Sequence, residues 1–148
     1  VYKRQQGLET LALRVREHSK NASKVAEFLK SHPQVESVSH PSVAEGIYKE
    51  RAEKYLSGGN GGLLGFEIKG GLEAGKKFID SLEMFYHVAN IGDSRSLAIH
   101  PASTTHSQLN EEELLSAGVS PGYVRLSIGL EHIDDIIEDL EQAFSKTV

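Results

Sequence analysis

Two short segments in which apolar and polar residues alternate constrain the fold of this chain more than any other feature. Leu64, Phe66 and Ile68 alternate with small or charged residues, and the segment 123–128 repeats the pattern. A period of two is typical of a β-strand with one buried face. Together with a third alternating stretch at 35–39 and a short apolar run at 97–99, these segments predict a small sheet.

Between the strands, apolar residues recur at spacings of three and four, which predicts amphipathic helices. The first helix is predicted from Gly7 to the proline at position 33, and the others at 46–56, 74–85, 111–115 and 133–144. Strands and helices do not follow the regular βαβ rhythm of a doubly wound fold. The sequence therefore predicts an α+β fold, with a small, mostly antiparallel sheet and helices packed on one face.

Composition excludes several classes of partner. The 148 residues fit one domain, and their formal net charge of −5 is spread along the chain. Nucleic acid is an unsuitable partner because phosphate binding needs clustered Lys and Arg. No apolar run approaches the ~18 residues that span a bilayer, and the chain has no Cys. We expect no membrane partner, no disulfides, no thiolate metal site and a cytoplasmic location.

The start of the chain departs from this pattern. There is no initiator Met, and residues 1–5 resemble neither a helix cap nor a strand, whereas the helical pattern starts at Gly7. We interpret the chain as a fragment. Residues 1–6 are then linker or non-native sequence, and residues 7–148 form one domain.

A glycine-rich run at 58–62 invites comparison with a phosphate loop. Such a loop follows a strand and precedes a helix, so that the helix N-terminus faces the anion. Here the run follows a predicted helix and precedes a strand. A helix end followed by a sharp turn is the better interpretation.

Three histidines are candidates for a chemical role. His18 lies on the apolar stripe of the first helix, which favours a buried, hydrogen-bonded core residue. His100 and His106 bracket a loop rich in hydroxyls, but no third and fourth zinc ligand accompanies them. We predict no metal site, with His100 ending a strand and His106 bonding within its own loop.

Arg125 is the most specific candidate for binding. In the segment 123–128, Val124, Leu126 and Ile128 share one face of the predicted strand, so Arg125 points to the other. Its guanidinium can hold a carboxylate through two parallel hydrogen bonds. A solvated charge on an exposed strand is the alternative, and the pattern alone does not decide between them.

Two further candidates surround the run 97–99. The amide of Asn90 can donate to the same anion as Arg125, although Asn before the Ile91–Gly92 turn is also ordinary turn chemistry. Ser103, Thr104 and Thr105 offer hydroxyls, which in such a loop are commonly only solvated.

Four motifs in the same order resemble the C-terminal domain of the pyridoxal-phosphate-dependent enzymes of cysteine and methionine metabolism. The resemblance covers nearly the whole chain from Gly7 onward. Its motifs are Gly-Leu-Glu-Thr-Leu-Ala-Leu-Arg at 7–14, Gly-Gly-Leu-Leu-Gly-Phe at 61–66, His-Pro-Ala-Ser-Thr-Thr-His at 100–106 and Arg-Leu-Ser-Ile-Gly-Leu-Glu at 125–131. It implies the small domain of a fold-type I enzyme that serves substrate recognition.

The resemblance also implies roles for individual residues. Arg125 would hold the α-carboxylate of a small amino-acid substrate, and Asn90 and Thr105 match positions beside that carboxylate. Asn90 followed by Ile91–Gly92–Asp93 is similar to the sulfhydrylase branch of the family, which makes homocysteine from O-acetylhomoserine and sulfide. In such enzymes the electron sink is pyridoxal 5'-phosphate, and the assembly is a homo-oligomer, a tetramer.

The chain departs from the family in one large respect. The family's Schiff-base lysine lies in a Ser-x-Thr-Lys context, which no lysine of this chain has. The resemblance implies that a missing N-terminal large domain binds most of the cofactor, and that this chain has no catalytic or cofactor-binding residue and is inactive alone. A methionine γ-lyase, a cystathionine γ-synthase or a non-catalytic amino-acid-binding or assembly module remain alternatives.

Overall fold

A five-stranded sheet forms the centre of the fold. The structure, a computed structural model, describes residues 2–147. The strands lie in the order β1-β2-β5-β4-β3, and all neighbours are antiparallel except β3 and β4. Their bounds are β1 Val35–Ser39, β2 Leu63–Ile68, β3 Tyr86–His87, β4 Leu97–Ile99 and β5 Tyr123–Ser127.

Six α-helices and two 3₁₀ turns accompany these strands within the described residues. The 3₁₀ turns are Pro41–Val43 and Pro101–Ser103, and each follows a histidine. The helices are α1 Tyr2–Glu9, α2 Leu11–Ser31, α3 Gly46–Tyr55, α4 Gly71–Ser81, α5 Glu111–Ser116 and α6 Ile133–Thr147. No helix in the part of the chain described here is long and apolar enough to cross a bilayer.

The core lies between the sheet and the helices α2, α4 and α6. One side of the central strands contributes the alternating apolar residues, and the helices contribute their apolar stripes. The rings of Phe78 and Phe144 lie 4.6 Å apart, and Phe66 meets Phe78 edge-on at 5.5 Å. The predicted α+β fold with helices packed on one face is therefore confirmed. Fully buried core residues include Ala22, Val25, Leu29, Phe78, Val124, Leu126, Ile128, Ile136 and Leu140.

The first predicted helix differs from the structure. A turn at Thr10 divides it into α1 and α2, and α1 already starts at Tyr2 instead of Gly7. Only the C-terminal part of the predicted stripe is buried, since Leu8 and Val15 are 66% and 47% exposed. Val1 lies outside the described residues, and the division into residues 1–6 and 7–148 remains a prediction.

The predicted helix 74–85 is also wrong at its end, because α4 ends at Ser81. The cause lies in α6. The buried carboxylate of Asp139 accepts three consecutive backbone N–H groups at 2.9–3.2 Å, which removes the need for helical acceptors beyond Ser81. The three donors are Glu83, Met84 and Phe85.

Candidate functional site

Strand β5 presents two chemically different faces. Val124, Leu126 and Ile128 are fully buried against the helices. Tyr123 and Arg125 point to the opposite face, where both remain partly exposed. The predicted orientation of Arg125 is confirmed, and it follows from the strand period alone.

On this open face, Arg125 has spare hydrogen-bonding capacity. Its Nη2 donates to the main-chain carbonyl of Asn90 at 3.3 Å. Among residues 2–147 its guanidinium forms no ion pair, although a guanidinium has five N–H donors. A partly exposed cation with one long hydrogen bond is well suited to receive a carboxylate.

Asn90 meets Arg125 in a manner that the sequence did not predict. Asn90 is exposed in the loop 88–96, hereafter the β3–β4 loop, and its contact with Arg125 comes from the backbone. Its side-chain Oδ1 accepts the N–H of Ile91 at 2.9 Å, which is turn chemistry. The side-chain Nδ2 is the group with which Asn90 can meet an anion.

Thr105 is not brought to the same place by any hydrogen bond within the described chain. Its exposed hydroxyl pairs with Nδ1 of His106 at 2.8 Å, so the prediction that His106 bonds within its loop is confirmed. Strand β4 does pass beside Arg125, because Ile99 is its register partner. Binding of substrate by Thr105 stays a prediction.

His100 is a structural residue. It is fully buried at the end of β4, where its Nε2–H donates to the carbonyl of Pro121 at 2.7 Å and its Nδ1 pairs with Ser103 Oγ at 2.8 Å. Burial lowers the pKa of His100, which the carbonyl of Pro121 partly offsets. Gly75 leaves the space that the ring fills, since a Cβ there would lie 2.5 Å from Nε2.

The other sequence candidates are structural as well. His18 is buried, and its Nδ1 lies 2.6 Å from the carbonyl of Ile128, as predicted for a core histidine. The glycine-rich run follows the end of α3 and turns into β2, with positive φ at Gly59 and Gly61. Across residues 2–147, no three metal-ligating side chains come together.

Sequence reasoning missed the role of Tyr123 and Gly65. Gly65 is the register partner of Arg125, and a Cβ on Gly65 would collide with the Tyr123 hydroxyl. The phenol ring therefore lies over Gly65 and forms a wall next to Arg125. Burial raises the pKa of Tyr123, nearby Arg125 lowers it and Glu67 raises it. The signal was present, since a glycine inside a strand marks a close approach.

A wide cleft of about 1210 Å³ opens on this face between the sheet and α3. Arg125 and Tyr123 line one side, and the exposed rings of Tyr48 and Tyr55 line the other. Lys30 also lines the cleft, with Nζ 2.6 Å from Glu45 Oε1. The cleft exceeds the usual size of a small-molecule pocket, roughly 300–1,000 Å³, so it leaves room for further protein beside a ligand.

A comparison with known protein families places the chain in one of them. The family described as Cys/Met metabolism PLP-dependent enzyme, where PLP is pyridoxal phosphate, matches residues 1–145. The chain belongs to this family. The resemblance drawn from the four motifs is thereby confirmed.

Individual members of the Cys/Met metabolism family match over nearly the whole chain. An O-acetyl-L-homoserine sulfhydrylase of Leptospira meyeri is 60% identical over 139 residues, covering 93% of this chain and 31% of the relative. An L-methionine gamma-lyase of Fusobacterium nucleatum is 44% identical over 140 residues, covering 95% and 35%. The chain therefore spans about a third of the length of these relatives.

A solved structure shares the fold. The crystal structure of a protein described as an O-acetylhomoserine (thiol)-lyase from Campylobacter jejuni superposes with a TM-score of 0.87 at 52% identity. It covers 95% of this chain and 33% of that one, and it contains a pyridoxyl-lysine phosphate residue. The small α+β domain is thus a recurrent part of longer pyridoxal-phosphate-dependent enzymes.

Proposed function

We propose that this chain is the substrate-recognition part of an O-acetylhomoserine sulfhydrylase, which makes homocysteine from O-acetylhomoserine and sulfide. The observation that carries the proposal is the guanidinium of Arg125, on the open face and bonded to Asn90 at 3.3 Å. The greater identity to a sulfhydrylase, 60% against 44% to a γ-lyase, supports the branch.

In this proposal Arg125 holds the α-carboxylate of the amino acid. Two parallel N–H bonds fix the plane of the carboxylate, and each charge-assisted bond contributes about 1.5–3 kcal/mol. Fixing that plane also fixes the direction of the substrate's Cα–H bond, which an isolated positive charge would leave free. The Tyr123 ring bounds the space beside the guanidinium and limits how the substrate can tilt.

The residues of this chain fit a substrate carboxylate better than a covalently attached cofactor. Lys30, which lines the cleft, is paired with Glu45. The chemistry that pyridoxal phosphate supplies when bound is electron withdrawal, which lets acetate leave from the substrate's γ-carbon. We propose that most of the cofactor site lies in the other two thirds of the full-length protein.

The other two thirds of the full-length protein are also the proposed partner of the open face. Tyr48, Tyr55 and Leu63 are 69%, 68% and 41% exposed along the cleft, and a large domain of the same protein would bury them. A homotetrameric assembly and a cytoplasmic location complete the proposal.

The test uses a full-length chimera in which residues 7–148 replace the matching third of the Leptospira meyeri sulfhydrylase. Arg125→Lys keeps the charge but loses the bidentate geometry. We expect kcat/KM for O-acetylhomoserine to fall at least about ten- to a hundred-fold, with the melting temperature nearly unchanged because Arg125 lies outside the core.

Two controls make this result interpretable. Arg16→Lys changes an exposed arginine on α2 whose Nε bonds within its own helix, and it should leave the kinetics unchanged. The 148-residue chain alone should form no homocysteine. Wild-type kinetics in Arg125→Lys, or loss of folding in that variant, would refute the carboxylate role.

The γ-lyase alternative retains the same Arg125 role and differs in the reaction. A chimera that cleaves methionine but forms no homocysteine from O-acetylhomoserine and sulfide would favour that alternative. An amino acid that binds without any turnover would favour a non-catalytic binding module.

A further inference from the structure

The β3–β4 loop is attached to the segment that follows Arg125 by a series of hydrogen bonds. Gly92 N donates to Ser127 Oγ at 3.2 Å, and Leu130 N donates to the carbonyl of Ser94 at 2.8 Å. Together with the bond from Arg125 to Asn90, these contacts fix the loop alongside residues 125–131. The loop's conformation is therefore set from outside the loop.

Glu131 provides the strongest of these attachments. Its carboxylate accepts both donors of Ser96, the backbone N–H at 2.7 Å and the hydroxyl at 2.9 Å. The Ser96 hydroxyl in turn accepts the N–H of Gly129 at 2.9 Å, and Ser96 is fully buried. Bonds to a charged acceptor in a buried place are the strong ones.

The Glu131 backbone is itself anchored to the core. The buried side chain of Asn21, on α2, donates Nδ2 to the carbonyls of Gly129 and Glu131 at 3.2 and 3.1 Å. Gly129 also has no room for a side chain, because a Cβ there would collide with the Glu131 carboxylate. Helix α2 therefore anchors the backbone of Glu131, and the carboxylate of Glu131 in turn anchors the β3–β4 loop.

We infer that Glu131 is a positioning residue for carboxylate recognition by Arg125. It acts through Ser96 and keeps the β3–β4 loop where the Asn90 carbonyl accepts a hydrogen bond from the guanidinium and orients it. The inference rests on the proposed function of Arg125. It adds that the guanidinium of Arg125 alone is insufficient to recognise the substrate carboxylate. The direction in which the guanidinium points depends on the carboxylate of Glu131, six residues further along the chain.

The test compares Glu131→Ala with Glu138→Ala in the full-length chimera. Glu138 is an exposed carboxylate on α6, so its removal is a matched loss of charge. We expect Glu131→Ala to raise KM for O-acetylhomoserine about tenfold, the loss of one charge-assisted contact, while kcat per folded active site changes less. Glu138→Ala should leave both unchanged.

A pair of inhibitors separates positioning from general damage. L-Norleucine carries the α-carboxylate, and pentylamine is the same molecule without it. Glu131→Ala should weaken inhibition by norleucine and leave inhibition by pentylamine unchanged. Equal weakening of both, or of neither, would overturn the inference.

A double-mutant cycle with Arg125→Ala separates this inference from the proposed function. If Glu131 acts through Arg125, adding Glu131→Ala to Arg125→Ala should cost no further affinity for norleucine. An effect of Arg125→Ala together with no effect of Glu131→Ala would refute only the inference. No effect of Arg125→Ala would refute the proposed function itself.

A direct structural readout completes the test. In the 148-residue chain, Glu131→Ala should speed hydrogen exchange at the amides of Ser96 and Leu130. The amides of β2 should keep their protection. Unchanged exchange at Ser96 would show that the carboxylate does not hold the loop.

Discussion

Two loops flank β4, and they use polar residues in opposite ways. In the loop after β4, His100 is buried and both its ring nitrogens are bonded within the protein, while Thr104 Oγ1 donates back to the His100 carbonyl at 2.8 Å. In the β3–β4 loop, the exposed Asn90 offers its carbonyl to Arg125, which keeps spare donors on an open face. Buried polar groups with complete partners stabilise the fold, whereas a partly exposed charge with few partners is available to a ligand.

The same contrast holds for the two C-terminal motifs, 100–106 and 125–131, which the sequence presented as equally specific. The segment 100–106 has two histidines and three hydroxyls, yet its first histidine, His100, connects β4 to the turn before β5. The segment 125–131 contains both the proposed ligand-binding group and, through Glu131, the support of the neighbouring loop. The number of polar residues in a motif therefore does not show by itself which of them remain available to a ligand.

The largest expected effect on stability comes from His100→Ala. Removing the ring leaves the Pro121 carbonyl without its donor, removes the side-chain partner of the Ser103 hydroxyl and opens a cavity against Gly75. We expect the free energy of unfolding to fall by about 2–4 kcal/mol. Urea unfolding of the 148-residue chain measures it, with His106→Ala on the same loop as the control. If His100→Ala unfolded like the wild type but raised KM for O-acetylhomoserine in the chimera, the contrast between the two loops would be wrong.

Acid should weaken the fold at two separate buried histidines, His100 after the end of β4 and His40 after the end of β1. Burial lowers the pKa of His100, and burial also lowers the pKa of His40, whose Nε2 lies 3.5 Å from the Gly61 carbonyl. A folded pKa below the unfolded value means that the unfolded chain binds more protons, so stability is complete above about pH 6.5 and is lost as the pH falls below it. The slope is at most about 1.4 kcal/mol per pH unit for each histidine.

Unfolding free energies measured between neutral pH and pH 5 check this expectation. Replacing His40 by Gln should make the dependence shallower, because one titrating group is removed. A stability that rises on acidification would contradict it, since the sign of the slope follows directly from the lowered pKa values.

The sequence predicted the features that depend on local periodicity. The strand faces of β2 and β5, the direction of Arg125 and the stripe of α6 follow from periods of two and 3.6. The end of α4 did not follow, because its cause is Asp139, more than fifty residues away. Likewise, the β3–β4 loop depends on Glu131, which lies 35 residues beyond Ser96. Long-range partners of this kind leave no local pattern.

The smallest expected effect is that of Asn90→Ala. The substitution removes the side-chain amide but keeps the main-chain carbonyl that meets Arg125, so the guanidinium retains its direction. We expect KM for O-acetylhomoserine to rise about two- to tenfold, the worth of one ordinary hydrogen bond. The melting temperature should not move, because Asn90 is exposed.

Gln108→Ala, which removes an exposed amide from the loop after β4, is the matched control in the same chimera. It should change neither KM nor stability, because Gln108 is exposed and no role in substrate binding is predicted for it. A defect in Asn90→Ala as large as that in Arg125→Lys would mean that the amide shares the carboxylate equally with the guanidinium. A raised KM in Gln108→Ala would mean that both loops meet the substrate. The two loops would then differ only in how much their polar residues contribute to stability.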